Sequence, residues 1–357
     1  MATTKRYDSL QVLRALAALG VVAFHTEGDV GKYGWVPHLF QHASRYGEIG
    51  VDVFFVISGF VIALVSYGEP RGFASARKFM LARIARIVPL YWALTAFFVA
   101  LIAIAPSAFG HARLDLWHVI TSFLFLPSIN WAGIIAPVIN VGWTLIYEAW
   151  FYVVFAAAMC MTSRPLIVVA AFLGLTSLLR LAHGSSVPFL VYTNPIVLEF
   201  VAGCCLGAYC SRGKRISLLA ALVALLGVLA LRKMYAPTLT DDNRFIVFGL
   251  PAFTIVFVAI GLEARIGWSR FLSKLGDASY SLYLTHVLSI PLTLKVIQMA
   301  DGQHRLPGDL VCMAVVVGSV IVAFACHRLL ERPMTRSVGR WLKRRAGKPG
   351  VDRRVQA

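Results

Sequence analysis

The stretch LRALAALGVVAFHT (residues 13–26) is apolar enough to cross a membrane, yet it carries Arg14 near one end and His25 near the other. On an α-helix their eleven-residue spacing corresponds to a rotation of about 1100° and a rise of about 16.5 Å, so both side chains lie on one face. Because an ionisable group inside a span costs roughly 2.5 to 3.5 kcal/mol, we expect this face to line an interior cavity. The stretch alone leaves an alternative open, in which His25 lies at the membrane interface and Arg14 snorkels inward.

The composition of the whole chain predicts an all-α, polytopic membrane protein. Hydrophobic residues make up 59% of the 357 positions and charged residues only 14%, which is too apolar for an ordinary soluble domain. One apolar segment, 117–138, is interrupted by Pro127, Asn130 and Pro137, so we expect it to be re-entrant or interfacial. Other apolar stretches of suitable length predict ten transmembrane helices, at residues 10–26, 50–67, 88–106, 143–162, 166–183, 194–210, 216–231, 245–262, 279–299 and 309–329.

The distribution of Lys and Arg predicts that the N- and C-termini are both cytoplasmic. Most basic residues then flank inner ends of helices, which is the positive-inside pattern. Residues 1–336 are predicted to form a single transmembrane domain, and 337–357 a basic cytoplasmic tail near anionic membrane lipid. The formal charge of +17 therefore requires no nucleic-acid partner. The predicted outer loops hold only Lys32, Arg45, Arg113, Arg232, Lys233, Arg244 and Arg305.

No metal site is predicted. The six cysteines fall in or beside predicted spans and lack the CxxC spacing of a zinc site, and the histidines show no ligand spacing.

Two carboxylates are candidates to work with His25. The motif VGWTLIYEAWFYVVF (141–155) places Glu148 inside a span, and GVDVFFVISGF (50–60) places Asp52 at the outer end of another. A carboxylate beside an imidazole sets its tautomer and stabilises its protonated form, as a general base requires. The simpler alternative for Glu148 is an ion pair with some buried cation.

Two further motifs predict an anion-binding entrance on the cytoplasmic side. RKFMLARIARIVPLYW (77–92) places Arg83 and Arg86 three residues apart, on one helical face, as phosphate capture favours. A plain positive-inside anchor explains the same spacing equally well. LGDASYSLYLTHV (275–287) places Tyr280 and His286 in a helix too polar for lipid contact, and we expect it to face the same entrance.

These motifs together resemble the acyltransferase-3 family of bacterial membrane acyltransferases, which modify polysaccharides, lipopolysaccharide and some antibiotics. Each motif is weak by itself, but the ordered set covers most of the chain. TNPIVLEFVAGCCLG (193–207), with Glu199, looks more like the branch that modifies exopolysaccharides. Arg14 and His25 match the family's Arg-x10-His element, GVDVFFVISGF its second-span motif, RIARIVPLYW its Arg-x-x-Arg element, WTLIYEAWFY its Trp-Ser/Thr-Leu-x-x-Glu element, and SYSLYLTH its Ser-Tyr-x-x-Tyr-x-x-His element.

The resemblance implies an O-acyltransferase of the bacterial inner membrane that acts on a polysaccharide or its lipid-linked precursor. The acyl group is usually acetyl, and acetyl-coenzyme A would be a donor substrate; no permanently bound cofactor is expected. His25 would deprotonate the acceptor hydroxyl. Glu148 or Asp52 would orient His25. Arg14 would neutralise donor phosphate or the developing oxyanion. The residues that would bind the donor at the entrance are Arg83, Arg86, Tyr280 and His286.

The chain departs from the family pattern in two respects. Many members have an acidic residue three positions before the arginine of the first span, where this chain has Gln11. Some members carry an extracytoplasmic esterase-like domain, which we do not expect here because only about twenty basic-rich residues follow Arg336.

Two other functions compete with the enzyme. Ten spans with buried charges would also suit a transporter or flippase of lipid-linked sugars, although no pair of Gly/Pro-interrupted spans recurs in two halves. A scaffold of a polysaccharide assembly complex is the weaker alternative, because it has no reason to retain costly charges within the membrane.

Overall fold

The computed structural model describes residues 7–109, 113–234, 239–240 and 242–345. Within those ranges the chain is helical, without β-strands and with one isolated bridge between Ile129 and Ile135. The α-helices are α1 (Asp8–Lys32), α2 (Leu39–Ser44), α3 (Ile49–Ser66), α4 (Phe73–Ile104), α5 (Leu116–Phe123), α6 (Trp143–Met161), α7 (Pro165–Leu178), α8 (Val187–Tyr192), α9 (Leu198–Ser211), α10 (Leu218–Met234), α11 (Leu250–Leu262), α12 (Arg270–Asp277), α13 (Ser279–Ala300), α14 (Gly308–Cys326) and α15 (Arg332–Arg345). Short 3-10 helices cover Pro106–Phe109, Asn140–Gly142, Leu179–Ala182 and Pro195–Val197, and π-helices cover Phe245–Gly249 and His327–Glu331.

Nine of the ten predicted spans fall, in the described part of the chain, in helices long and apolar enough to cross a membrane. The tenth stretch, 216–231, overlaps a shorter apolar helix, Leu218–Leu231. Segment 117–138 forms no helix of spanning length: α5 ends at Phe123, well before its two prolines. The molecule is therefore a multi-pass, all-helical membrane protein.

Helix α4 is longer than the predicted span 88–106. It begins at Phe73 and runs through Pro89 to Ile104, because the residues before the span are mostly good helix formers. The Arg-x-x-Arg element is thus part of the membrane helix and not of a segment in front of it.

Helix α3 lies at the centre of the bundle and contacts α1, α9 and α11. Its closest neighbour is α9: a Cβ atom added at Gly59 would lie 2.0 Å from the Phe200 carbonyl oxygen, and one at Gly203 would lie 2.0 Å from that of Val56. The two backbones touch, as small residues permit in membrane helices. This contact fixes the face that α3 turns toward α1, α6 and α13.

Helix α14 continues through the π-helix His327–Glu331 into α15, which packs against α4. The predicted boundary between the membrane domain and the tail, at residues 336 and 337, falls inside α15. Residues 346–357 of the predicted tail, and Lys5 and Arg6 before the first span, lie outside the described residues.

Candidate active site

A cavity of about 90 Å³ lies between α1, α3, α4, α6 and α13. Five of the eight residues predicted for the site line it: Arg14, Arg83, Arg86, Glu148 and Tyr280. Four separate sequence motifs thus meet in one place. The apolar side chains of α3, such as Phe54, Phe55 and Val61, complete the wall.

Three guanidinium groups face this cavity. Arg14 donates two hydrogen bonds to Ser279 Oγ, at 3.2 Å from Nε and 2.9 Å from Nη2. Arg83 is buried, and its guanidinium carbon lies 5.5 Å from the Phe79 ring centroid and 5.8 Å from that of Tyr152. Within the described ranges neither Arg83 nor Arg86 has a carboxylate partner, and Arg83 Nε has no hydrogen-bond partner. Their positive charges are therefore available to an anionic ligand.

Glu148 is the single carboxylate among the lining residues of the cavity. Its Oε1 accepts a hydrogen bond from Ser58 Oγ at 2.9 Å and another from the Tyr152 hydroxyl. Since both donors are neutral, Glu148 offsets one of the three positive charges at most. The cavity as a whole is electropositive, which suits phosphates.

Tyr280 lines the cavity, but its hydroxyl group is hydrogen-bonded to the backbone of α4. Tyr280 Oη donates to the Ile87 carbonyl oxygen at 2.8 Å, which ties α13 to α4. The structure therefore places Tyr280 at the predicted entrance, where it forms part of the wall and leaves its ring to contact a ligand.

His25 lies next to His286 and outside this cavity. The two ring centroids are 5.1 Å apart; His25 is half-buried, and His286 is buried with neither ring nitrogen hydrogen-bonded to a described residue. The expectation that His286 lies at the cytoplasmic entrance is wrong, because it is two turns beyond Ser279 along α13, a rise of about 10.5 Å. This places it at the predicted outer end of α1.

Tyr283 separates the histidine pair from the cavity. The Tyr283 ring centroid is 5.9 Å from that of His286. Tyr283 also lines the cavity. The Tyr283 hydroxyl donates to the Val141 carbonyl oxygen at 2.8 Å and lies 3.1 Å from Thr144 Oγ1. The order along α13 is therefore Ser279 with Arg14, then Tyr283, then His286 with His25.

Asp52 does not orient His25, contrary to the expectation from the sequence. It is buried and binds Arg244 through two hydrogen bonds, at 3.0 Å from Nε to Oδ1 and 2.8 Å from Nη2 to Oδ2. Arg244 Nη1 also lies 3.6 Å from Glu48 Oε2. Burial lowers the pKa of Arg244, but the adjacent Asp52 carboxylate outweighs this effect and the pKa lies above its usual value. Both oxygens of Asp52 are thus occupied by a cation.

Glu148 does not contact His25 either, since its described partners are Ser58 and Tyr152. The group beside His25 is an imidazole, His286. Sequence reasoning missed this pair because the two residues lie on different helices. It also missed the role of Arg244, which the sequence predicts only as a residue of an outer loop, directly before the span 245–262.

Comparisons with known proteins agree with these motifs. The family model described as "Acyltransferase domain" matches residues 7–328. The chain is 36% identical over 310 residues to "Exopolysaccharide production protein ExoZ" of Rhizobium meliloti, which covers 83% of this chain and 92% of that protein. It is 24% identical over 387 residues to "Peptidoglycan O-acetyltransferase OatA" of Listeria monocytogenes, covering 94% of this chain and 58% of that protein. No solved structure matches the chain.

Proposed function

Because this chain belongs to the acyltransferase-3 family and is an O-acyltransferase, we propose that it moves an acetyl group from acetyl-coenzyme A to a hydroxyl of a polysaccharide or its lipid-linked precursor. The acceptor class is inferred from the names of two relatives, an exopolysaccharide production protein and a peptidoglycan O-acetyltransferase. The bacterial inner membrane is the proposed location, since acetyl-coenzyme A is a cytosolic compound.

The electropositive cavity is the observation that carries the proposal. Arg83 and Arg86 are without carboxylate partners among the described residues and face the same space as Arg14. Coenzyme A has phosphates at one end and a thioester at the other end of a long pantetheine arm. Bound with its phosphates at Arg83 and Arg86, it would direct the arm along α13 toward Tyr283 and the histidine pair.

His25 is the proposed general base. The acceptor oxygen attacks the thioester carbonyl while its proton passes to the imidazole; an ester C–O bond forms, the C–S bond breaks, and the proton passes to the coenzyme A thiolate. His286 packs against the His25 ring and would restrict its orientation by contact. Arg14, fixed by Ser279, would stabilise the donor phosphates. The rise of about 16.5 Å between Arg14 and His25 places Arg14 too far from the oxyanion that forms beside His25.

Labelled acetyl-coenzyme A tests the proposal. We expect the purified full chain, in lipid nanodiscs, to move label onto de-O-acetylated polysaccharide from the producing cell. A transporter or flippase of lipid-linked sugars would leave the label on coenzyme A and would neither bind nor consume it, and that result would contradict the proposal.

A matched pair of variants on α4 makes the test specific to the cavity. Arg86→Gln removes a lining cation, and we expect the KM for acetyl-coenzyme A to rise roughly tenfold to a hundredfold, as loss of a charged hydrogen bond of about 1.5 to 3 kcal/mol implies. Arg77→Gln removes an exposed cation of the same helix that does not line the cavity, and we expect it to leave this KM unchanged.

A further inference from the structure

A second cleft, of about 390 Å³, lies on the other side of α6. It is formed where segment 134–143, the connection from α7 to α9 and the start of the π-helix Phe245–Gly249 meet. Its polar and aromatic lining consists of Asn140, Trp143, Tyr147, Arg180, Asn194 and Arg244. The cleft has room for one or two sugar residues.

The first two turns of α6 form a wall shared by the cleft and the cavity. Trp143, Ile146 and Tyr147 line the cleft, whereas Thr144, Leu145 and Glu148 line the cavity. This division follows from 100° of rotation per residue, which places the two sets on opposite faces of one helix. A ligand in the cleft is thus one helix away from the proposed donor.

The cationic residues of the cleft are already paired, unlike those of the cavity. Arg180 donates to Asp242 Oδ1 at 2.6 Å and to the Leu190 carbonyl oxygen at 2.7 Å. Arg244 is held by Asp52. The cleft is therefore close to neutral, and it does not favour a phosphate or another highly charged ligand.

The two groups of this lining that offer most to a ligand are the Trp143 ring and the Asn140 amide. Trp143 is half-buried on the cleft wall, with its ring edge to face with that of Tyr147. The Arg244 guanidinium carbon lies 5.7 Å from the Trp143 ring centroid and covers one face of the indole, so a ligand would use the opposite face. Asn140 is exposed, and its amide has no hydrogen-bond partner among the described residues; Asn194 uses its Oδ1 to accept from the Ile196 N–H. Aromatic rings that cover the C–H face of a sugar, with amides that bind its hydroxyls, are a pocket lining suited to a saccharide.

We infer that this cleft binds a sugar residue of the acceptor glycan, adjacent to the residue whose hydroxyl is acetylated. The inference rests on the proposed function and adds a binding site for its acceptor. The donor would bind on one face of α6, and the glycan would bind on the other face. The ligand class is an uncharged, hydroxyl-rich sugar, because the arginines of the cleft are neutralised.

Asn140→Ala tests the inference with little risk to folding, since the side chain is exposed and has no described partner. The acceptor is an oligosaccharide of four to eight sugars cut from de-O-acetylated polysaccharide of the producing cell. We expect its KM to rise about fivefold to tenfold, as loss of a hydrogen bond of about 1 kcal/mol or slightly more implies, with the KM for acetyl-coenzyme A unchanged. Gln41→Ala, an exposed amide of α2 that lines neither space, is the matched control and should change neither constant.

Trp143→Leu is the second variant and removes the aromatic face. We expect a larger rise in the acceptor KM than for Asn140→Ala, without a rise in the KM for acetyl-coenzyme A. If both cleft variants keep the wild-type acceptor KM, or if they raise the donor KM instead, the inference is overturned while the proposed function stands.

Direct binding separates failure of the inference from failure of the proposed function. The same oligosaccharide is titrated into the full chain in nanodiscs without donor, and Asn140→Ala should raise its Kd about fivefold to tenfold. Binding that weakens in the variant, in a protein that transfers no label, would support the cleft and overturn the acetyl-transfer function. Label transfer together with an unchanged Kd in the variant would overturn the cleft alone.

Discussion

His25 and Asp52, two residues assigned to one catalytic group by sequence reasoning, occupy different surroundings. His25 is half-buried beside a buried imidazole, whereas Asp52 is fully buried and bound to a guanidinium. The first arrangement leaves a titratable group free to exchange a proton. The second neutralises a charge that the membrane would otherwise exclude.

His25→Ala is expected to lower kcat for acetyl transfer about 100-fold to 10,000-fold, because that is the usual contribution of general base catalysis. The KM for acetyl-coenzyme A should stay within twofold of wild type, since His25 does not line the donor cavity. Steady-state kinetics on purified protein measure both constants. His42→Ala, which removes an exposed histidine of α2, is the control; full activity in His25→Ala would refute its role as base.

Asp52→Ala is expected to lower the free energy of unfolding by about 3 to 5 kcal/mol, because it leaves Arg244 buried and without its main partner. Thermal unfolding in detergent checks this. Arg244→Ala should also destabilise the protein, and the double variant should lose less than the sum of the two single losses. Strict additivity would show that the pair contributes no coupling.

At the scale of elements, the crossing of α3 and α9 depends on glycine. Gly59, Gly203 and Gly207 bring the two backbones into contact, and Gly203 and Gly207 form a GxxxG pattern on α9. Ser58 is adjacent to Gly59 on α3, so the crossing also fixes the position of Ser58. Ser58 is one of the two hydrogen-bond donors to Glu148.

Gly59→Ala is expected to destabilise the protein by about 1 to 3 kcal/mol, the usual range for overpacking, since its Cβ would meet the Phe200 carbonyl at 2.0 Å. Gly174→Ala in α7 is the matched control: nothing lies within 4 Å of its Cβ, so it should be neutral or stabilising by up to about 1 kcal/mol. The melting temperatures of both variants in the same detergent decide the matter. Equal values for the two would argue against backbone contact.

The segment from α5 to α6 is held together by a buried polar network. His118 Nδ1 lies 2.9 Å from Ser128 Oγ, which lies 2.7 Å from Thr121 Oγ1. Burial lowers the pKa of His118 below its usual value of 6.5, and Asp115 opposes this effect only in part. Neutral His118 therefore contributes stability that is complete above about pH 6.5 and is lost as the pH falls below it.

Acidification should therefore loosen this segment. We expect amide hydrogen exchange in residues 116–131, corrected for the intrinsic rate at each pH, to increase between pH 7.5 and pH 5. His118→Asn keeps a polar nitrogen near the Nδ1 position and does not titrate, so exchange in this variant should depend less on pH. An unchanged dependence would mean that another group is responsible.

At the scale of the whole molecule, the basic residues predict the orientation of the bundle. Ser163 lies in the connection between α6 and α7, which is predicted to be inside, and Ser185 lies before α8, which is predicted to be outside; both are exposed. The proposed path of the donor depends on this orientation, because Arg83 and Arg86 must face the cytosol.

Cysteine labelling tests the orientation. In a chain whose six cysteines are replaced, Ser185→Cys should react with a membrane-impermeant maleimide in intact spheroplasts. Ser163→Cys should react only after the membrane is permeabilised. The reverse pattern would place the electropositive cavity on the side without acetyl-coenzyme A and would contradict the proposed path.

The sequence was sufficient for the class of the fold and for most residues around the cavity. Arg14, Arg83, Arg86 and Glu148 could be identified because an ionisable residue in an apolar stretch stands out by itself. The length of α4 was not predictable in this way, since its first turns are polar and hydropathy marks only the part inside the membrane. The positions of His286 and Asp52 were not predictable because both depend on their neighbours in space.

The sequence alone determined that this protein is a helical membrane acyltransferase. This conclusion needs only hydropathy, the distribution of charge and the order of the motifs, all of which are properties of the linear chain. The tertiary structure alone decided which groups meet: Asp52 with Arg244, which are 192 residues apart, and His25 with His286. The physical reason is that helix crossings set by close backbone contacts choose the partner of each buried charge, and spacing along one helix contains no information about its neighbours.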